Sequence, residues 1–253
     1  MVICTSIATI YESPDYMSQQ VDEMLYGEEA EILDEKDGFY KIISEYGYTG
    51  WTAKTNLFSQ AKKPNYIVTA PFADLLPEGK YWFAPYMSLP RGAKVCVEFS
   101  ENSPRYAYVN HPNENTFYIH KNQIAPIEPL NLSERELRNR LVETAKEYLG
   151  VTYRWGGRSH QGIDCSGLCF NAYRFNGLTV WRDADIDRST LLRKITLDEI
   201  DVGDQLFFPG HVGMYVGDGK IIHSSASNGC VAIEVLEEKE WLRNNIKAIG
   251  TAF

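Results

Sequence analysis

The sequence is short of basic charge, of paired cysteines and of any long apolar run. Its 253 residues carry 25 Lys and Arg against 34 Asp and Glu, a net charge of −9, so it lacks the cationic face that nucleic acid or an anionic wall polymer rewards. Nucleic-acid binding is therefore not expected. Residues Met1 to Ile10 have no basic n-region and only a brief apolar stretch before YESPD, which argues against a signal peptide and against a membrane span. The expectation is a cytoplasmic protein with no membrane partner. The five cysteines, Cys4, Cys96, Cys165, Cys169 and Cys230, are odd in number and scattered. That pattern suits free thiols in a reducing compartment better than a disulfide framework.

Residues 1–127 are short β-rich runs broken by Gly, Pro and Asn, with a weak internal repeat that sets Trp51, Lys54 and Leu57 level with Tyr118, Lys121 and Ile124. Strands this short solve their edge problem by closing, which predicts two small all-β SH3-like barrels, residues 1–60 and 66–127. AKKPN at 61–65 is the first expected linker and APIEPLN at 125–131 the second. From there the pattern changes. Ser133 and Glu136 form a capping box ahead of Leu137, Leu141, Ala145, Tyr148 and Leu149 at helical spacing, and Gly150 ends the run. A second helix is expected from Cys165 to the Asn176-Gly177 stop, and DQLFF, HVGMYV, KIIHSS and CVAIEVL as antiparallel strands. Residues 133–253 thus form an α+β domain with helices packed on an antiparallel sheet.

Cys165 stands where helix N-terminal amides point, with Asp164 as the expected N-cap and Gly167 allowing close packing at the first turn. A thiol with an ordinary pKa of about 8.5 is only a few per cent thiolate at neutral pH, and such amides together with an imidazolium can lower it to roughly 3.5–7. A thiolate is the expectation. His211 and His223 lie on two strands joined by GDG. A two-residue turn at Asp218-Gly219 would set Met214 opposite His223 and send the histidines to opposite faces. A three-residue turn, Gly217 to Gly219, sets Gly213 opposite His223 and puts both on one face. Catalysis requires the shared face, so the three-residue turn is predicted. His211 then takes the thiol proton and returns it to the leaving amine, while His223 fixes its orientation and tautomer.

YRWGG (153–157), GIDCSGL (162–168), DVGDQLFF (201–208) and HVGMYVGDGKIIHSS (211–225) resemble, in order and spacing, the NlpC family of papain-like peptidoglycan cysteine peptidases. The two SH3-like repeats resemble those preceding the peptidase domain in the γ-D-glutamyl-L-diamino-acid endopeptidases of that family, the dipeptidyl-peptidase VI type. The resemblance implies Cys165 as nucleophile, His211 as base, His223 as the orienting third member and Tyr153 as an oxyanion donor. It further implies a substrate-binding set of Asp164, Ser166, Arg182 and Asp183, joined from the first SH3-like domain by Glu12 and Tyr48. An ammonium held by Asp164, Glu12 and hydroxyls would select small released murein peptides with a free N-terminal L-Ala. The sequence departs from the family at Trp181, where a proline usually precedes the Arg-Asp pair. Trp155 is expected to pack beneath the site, and Cys169 to belong to the core.

The same residues admit rivals. Cys165, Cys169, His211 and His223 match a zinc ligand count, but structural zinc cysteines come as close pairs across a turn rather than inside a helix. An amidase, thioesterase or acyltransferase could use the same triad, and SH3-like repeats could serve a wall-peptide-binding module. The expectation is a cysteine peptidase acting in cell-wall peptide recycling, a monomer with no metal or organic cofactor. His111, His120 and His160 are expected to be structural or exposed, and the C-terminal EEKEWLRNN a solvated segment.

Overall fold

The computed structural model describes residues 1–59, 62–111 and 115–253. Gln60, Ala61 and Pro112, which belong to the expected first domain, the first linker and the loop after His111, lie outside the described residues. The chain forms two compact units, Met1–Glu128 and Pro129–Phe253.

The first unit is all β apart from single 3-10 turns. A five-stranded antiparallel sheet runs in the order Gln20–Leu25, Ile7–Tyr11, Thr49–Ala53, Phe39–Ser44 and Ala30–Lys36. In IATIY alternate side chains are buried, the period-2 pattern of a half-covered strand. Ile3, Ala8, Ile10, Met24 and Ile42 form one core. A second core gathers Val68, Leu75, Leu89, Val95, Val109 and Ile119 from shorter strands between Tyr66 and Pro126. The sequence repeat is structural: Trp51, the 3-10 turn Lys54–Asn56 and the strand at Leu57 have the same order as Tyr118, the turn Lys121–Gln123 and the strand at Ile124.

The second unit is α+β. Helix α1, Glu134–Lys146, starts on a complete Ser133/Glu136 capping box, which satisfies two otherwise orphaned amides. Its Arg138 is enclosed and pairs with Asp204 at 2.8 Å, tying the helix to the sheet just before its central strand. Helix α2, Cys165–Arg174, is buried at nine of its ten residues, so it reads as apolar all round rather than amphipathic. It packs on the strands His211–Gly217 and Lys220–Ser225. The six-stranded antiparallel sheet runs Arg193–Ile195, Ala248–Thr251, Gln205–Phe208, His211–Gly217, Lys220–Ser225, Cys230–Val235. Its four expected strands are present. The two others, at Arg193 and Ala248, were not anticipated, because RKI is mostly exposed and AIGT too short to signal.

Candidate active site

Asp164 caps α2 by accepting the Gly167 amide at 2.6 Å, and its other oxygen accepts the Gly156 amide at 2.7 Å. Gly167 must be glycine, since a Cβ there would collide with the Gly157 carbonyl oxygen and come within 2.9 Å of Asp164 Oδ1. The tight start of α2 thus rests on the YRWGG turn. Arg182, only 1% exposed, donates to Asp164 at 3.0 and 3.2 Å and to the Ser166 hydroxyl at 2.9 Å. The guanidinium of Arg182, which the resemblance implies is part of the substrate-binding set, is buried and holds Asp164 and Ser166 in place. Asp164 also accepts from Ser166 at 3.2 Å, so its carboxylate already has a structural post. Asp183 follows Arg182 and is half-buried. Trp181, in the place of the family proline, is covered by the Arg188 guanidinium at 3.7 Å.

The histidine hairpin corrects the predicted turn while keeping its consequence. Gly217 pairs with Lys220, leaving the two residues Asp218 and Gly219 at φ 52° and 68°, which suits the Asp-Gly turn of a hairpin with both central residues left-handed. A bulge between Tyr215 and Gly217 then shifts the register, so that Met214 faces Ile222 and Gly213 faces His223. The extra residue that the loop was expected to hold sits inside the strand at Val216. Both histidines therefore share a face, with His211 Nε2 at 2.8 Å from His223 Nδ1. His223 Nε2 in turn lies 2.9 Å from Glu234 Oε2, and Glu234 pairs with Lys239 at 2.7 Å. With these nitrogens spent on one another and on Glu234, and Cys169 only 1% exposed behind Cys165, a four-ligand zinc site is not assembled.

The expected thiolate is also corrected. Burial pushes the Cys165 thiol up to about 11, the Asp164 carboxylate adds to the rise, and the facing amides of Val212 and Ser166 and the Arg182 charge offset only part of it. The residue that caps the helix thus opposes the anion the cap was expected to favour. The amide of Val212, next in the chain to His211, donates to the Cys165 sulphur. Burial, and then the neighbouring His223, hold His211 down to about 4, so the resting pair is a neutral thiol and a neutral imidazole. Burial and the nearby Cys165 raise the Tyr153 phenol to about 12, so it stays protonated beside Cys165.

Tyr153, His211 and His223 open onto a cavity of about 620 Å³ that continues past Ser227, Asn228, Glu234, Lys239 and Trp241. Helix α3, Glu240–Asn244, carries Trp241 to 6.3 Å from the His211 ring and 5.8 Å from Phe208. The EEKEWLRNN segment is solvated as expected, with seven of its nine residues exposed, and its Lys239, Trp241 and Leu242 also line this cavity. Sequence reasoning missed Glu234, although the alternation in CVAIEVL carried the signal: Ala232 pairs with His223, and Glu234, two residues on, shares its face. Trp155 is 55% exposed, against the expectation that it packs beneath the site, because the Gly156-Gly157 turn points it outward.

Glu12 and Tyr48 belong to the first unit, where Glu12 is exposed and the Tyr48 hydroxyl lies 3.4 Å from the Val21 carbonyl. His160 stacks on Tyr148 at 4.2 Å, His120 accepts the Asn122 amide, and His111 is buried among Tyr26, Tyr86 and Phe117. A further cavity of about 560 Å³, on the first unit beside Met1 and Glu45, contains neither cysteine nor histidine. All five cysteines are free.

The NlpC/P60 family profile matches residues 150–250, and the bacterial SH3 domain profile matches residues 8–57. Dipeptidyl-peptidase 6 of Lysinibacillus sphaericus is 32% identical, over 100% of this chain and 99% of its own. Gamma-D-glutamyl-L-lysine dipeptidyl-peptidase of Bacillus cereus is 28% identical, over 83% of this chain and 69% of its own. In fold, the crystal structure of an NlpC/P60 family protein from Bacillus cereus superposes with a TM-score of 0.84 at 21% identity, covering 98% of this chain and 97% of that one.

Proposed function

The chain belongs to the NlpC/P60 family of cysteine peptidases, and from that premise we propose that it hydrolyses the γ-D-glutamyl to L-diamino-acid bond of murein peptides bearing a free N-terminal L-Ala. The observation that carries the reaction class is the 2.8 Å contact between His211 and His223, with the amide of Val212, next in the chain to His211, donating to the Cys165 sulphur. The name of the Bacillus cereus relative, a gamma-D-glutamyl-L-lysine dipeptidyl-peptidase, supports the choice of bond.

Cys165 is neutral at rest, so His211 acts as a general base during attack rather than as one half of a preformed ion pair. The sulphur adds to the γ-carbonyl carbon of D-Glu as the thiol proton passes to His211. Tyr153 and backbone amides at the start of α2 donate to the developing oxyanion. Collapse breaks the C–N bond, His211 returns the proton to the departing amine of the diamino acid, and a γ-glutamyl thioester remains on Cys165. Water, deprotonated by His211, then releases L-Ala-γ-D-Glu and restores the thiol.

Asp164 and Ser166 recognise the free α-amino group, with Arg182 supporting both from behind, and the resemblance assigns Glu12 and Tyr48 of the first unit to the same task. Five free cysteines suit a reducing compartment, which supports action on released peptides in cytoplasmic recycling, as a monomer. The test is cleavage of L-Ala-γ-D-Glu-L-Lys and its meso-diaminopimelate counterpart by the wild-type chain and by Cys165→Ala. Release of L-Ala-γ-D-Glu by the wild type alone is expected, and an intact tripeptide would overturn the reading.

A further inference from the structure

His223 lies between His211 and Glu234, and that chain of contacts dictates where every proton sits. An ionised carboxylate only accepts hydrogen bonds. Glu234 is ionised: burial opposes the charge, but hydrogen bonds from Lys239 and Asn228 and contact with His223 hold its pKa below the ordinary glutamate value. His223 must therefore donate its Nε2–H to Glu234 across 2.9 Å, which leaves its Nδ1 as a bare lone pair. His211 must then donate its own Nε2–H to that lone pair across 2.8 Å. The nitrogen left bare on His211 is Nδ1, the one not occupied by His223.

We propose that Glu234 is a positioning residue of the catalytic relay: by fixing the tautomer of His223 it fixes the tautomer of His211, so that Nδ1 is the base that takes the Cys165 proton. The inference rests on the cysteine peptidase reading of the site. Glu234 remains a carboxylate throughout. The proton moves from sulphur to His211 Nδ1 and from there to the leaving amine, while the imidazolium formed in between is balanced by the Glu234 charge, which favours protonated His211. The groups facing Glu234 are His223, Lys239 and Asn228, and Glu238 lies close to Lys239.

Lys239 makes the proposal testable, because its ammonium is donor-only. In Glu234→Gln the amide oxygen turns to Lys239 and the NH2 faces His223 Nε2. His223 then carries its proton on Nδ1 and His211 on Nδ1 as well, so the base is capped. A carboxylate-to-amide change behind a catalytic histidine costs about 10⁴-fold in kcat where it imposes the wrong tautomer. The experiment compares full-length wild type, Glu234→Gln and Glu234→Asp, each with 15N-labelled histidine, by kcat and KM on the tripeptide and by 15N shifts of both rings.

The expected result for Glu234→Gln is a kcat loss of about 10²-fold or more, KM within about threefold, and the His211 proton moved from Nε2 to Nδ1. Glu234→Asp, which keeps a carboxylate, should retain the wild-type tautomers and regain at least about tenfold of that kcat, which also guards against a glutamine variant that fails to fold. Wild-type kcat in Glu234→Gln, loss of kcat with both tautomers unchanged, or an aspartate variant as inactive as the glutamine variant would each overturn the proposal. If the wild type leaves the tripeptide intact, the substrate reading fails, and the nitrogen shifts still decide the part played by Glu234.

Discussion

Cys165 and His211 rest as an uncharged pair because burial and the Asp164 carboxylate outweigh two amides and Arg182. Peptide-resolved alkylation by iodoacetamide should therefore rise about tenfold per pH unit from about pH 7 to 10. A plateau by pH 7 would mean a standing thiolate. The base follows the same logic with the opposite sign. A histidine held at about 4, below its unfolded value of about 6.5, stays neutral further into acid, so kcat/KM should hold to about pH 5 and fall by half near about 4. Half-loss near 6.5 would contradict it. The unfolded chain binds that proton first, so His211 also makes stability fall as pH drops from about 6.5 towards about 4. Behind the nucleophile, Arg182→Leu leaves Asp164 buried without its cation and should cost about 3–5 kcal/mol in denaturant unfolding, together with activity; an unchanged unfolding midpoint would show that Arg182 is dispensable.

At the scale of elements, the histidine hairpin decides whether there is a site at all. Gly213 faces His223, and a Cβ there would collide with Ile221 Cδ1 and come within 3.0 Å of His223 Cβ. Gly213→Ala should lower kcat sharply while costing about 1–3 kcal/mol in stability, as read by kinetics and thermal melts on one preparation. Deleting Val216 removes the bulge and turns His211 to the other face, so activity should vanish even where circular dichroism shows the sheet intact. Much of this was legible in the sequence. The capping box, the Cys165 helix and its Asn-Gly stop were readable, because each depends on local spacing, whereas the shared histidine face was expected only because catalysis requires it. The bulge was not, since parity shows that one extra residue exists and not whether loop or strand holds it. The thiol's charge was hidden because Asp164 acts as cap and as like charge at once. Glu234 and Trp241 were missed for a different reason: Glu234 is a lone acid in the apolar run CVAIEVL and Trp241 stands in a charged segment, and only sheet pairing and α3 bring them to the histidines.

At the scale of the whole molecule, the family assignment was readable from four motifs in order, and the SH3-like domain matched at residues 8–57 from its short β-rich runs. Glu12 and Tyr48 could be named only through the resemblance, because an exposed acid and a half-buried tyrosine on the first unit carry no local mark of function. Their part in amine recognition, and with it the preference for released peptides, is decided by mass spectrometry of products after incubating the wild-type chain and Cys165→Ala with L-Ala-γ-D-Glu-diaminopimelate and with the same peptide N-acetylated. The prediction is L-Ala-γ-D-Glu from the free peptide and wild-type chain alone. Equal cleavage of the acetylated peptide would remove the amine pocket, and cleavage by Cys165→Ala, or of neither peptide, would contradict the central claim that this chain is a Cys165-dependent γ-D-glutamyl endopeptidase.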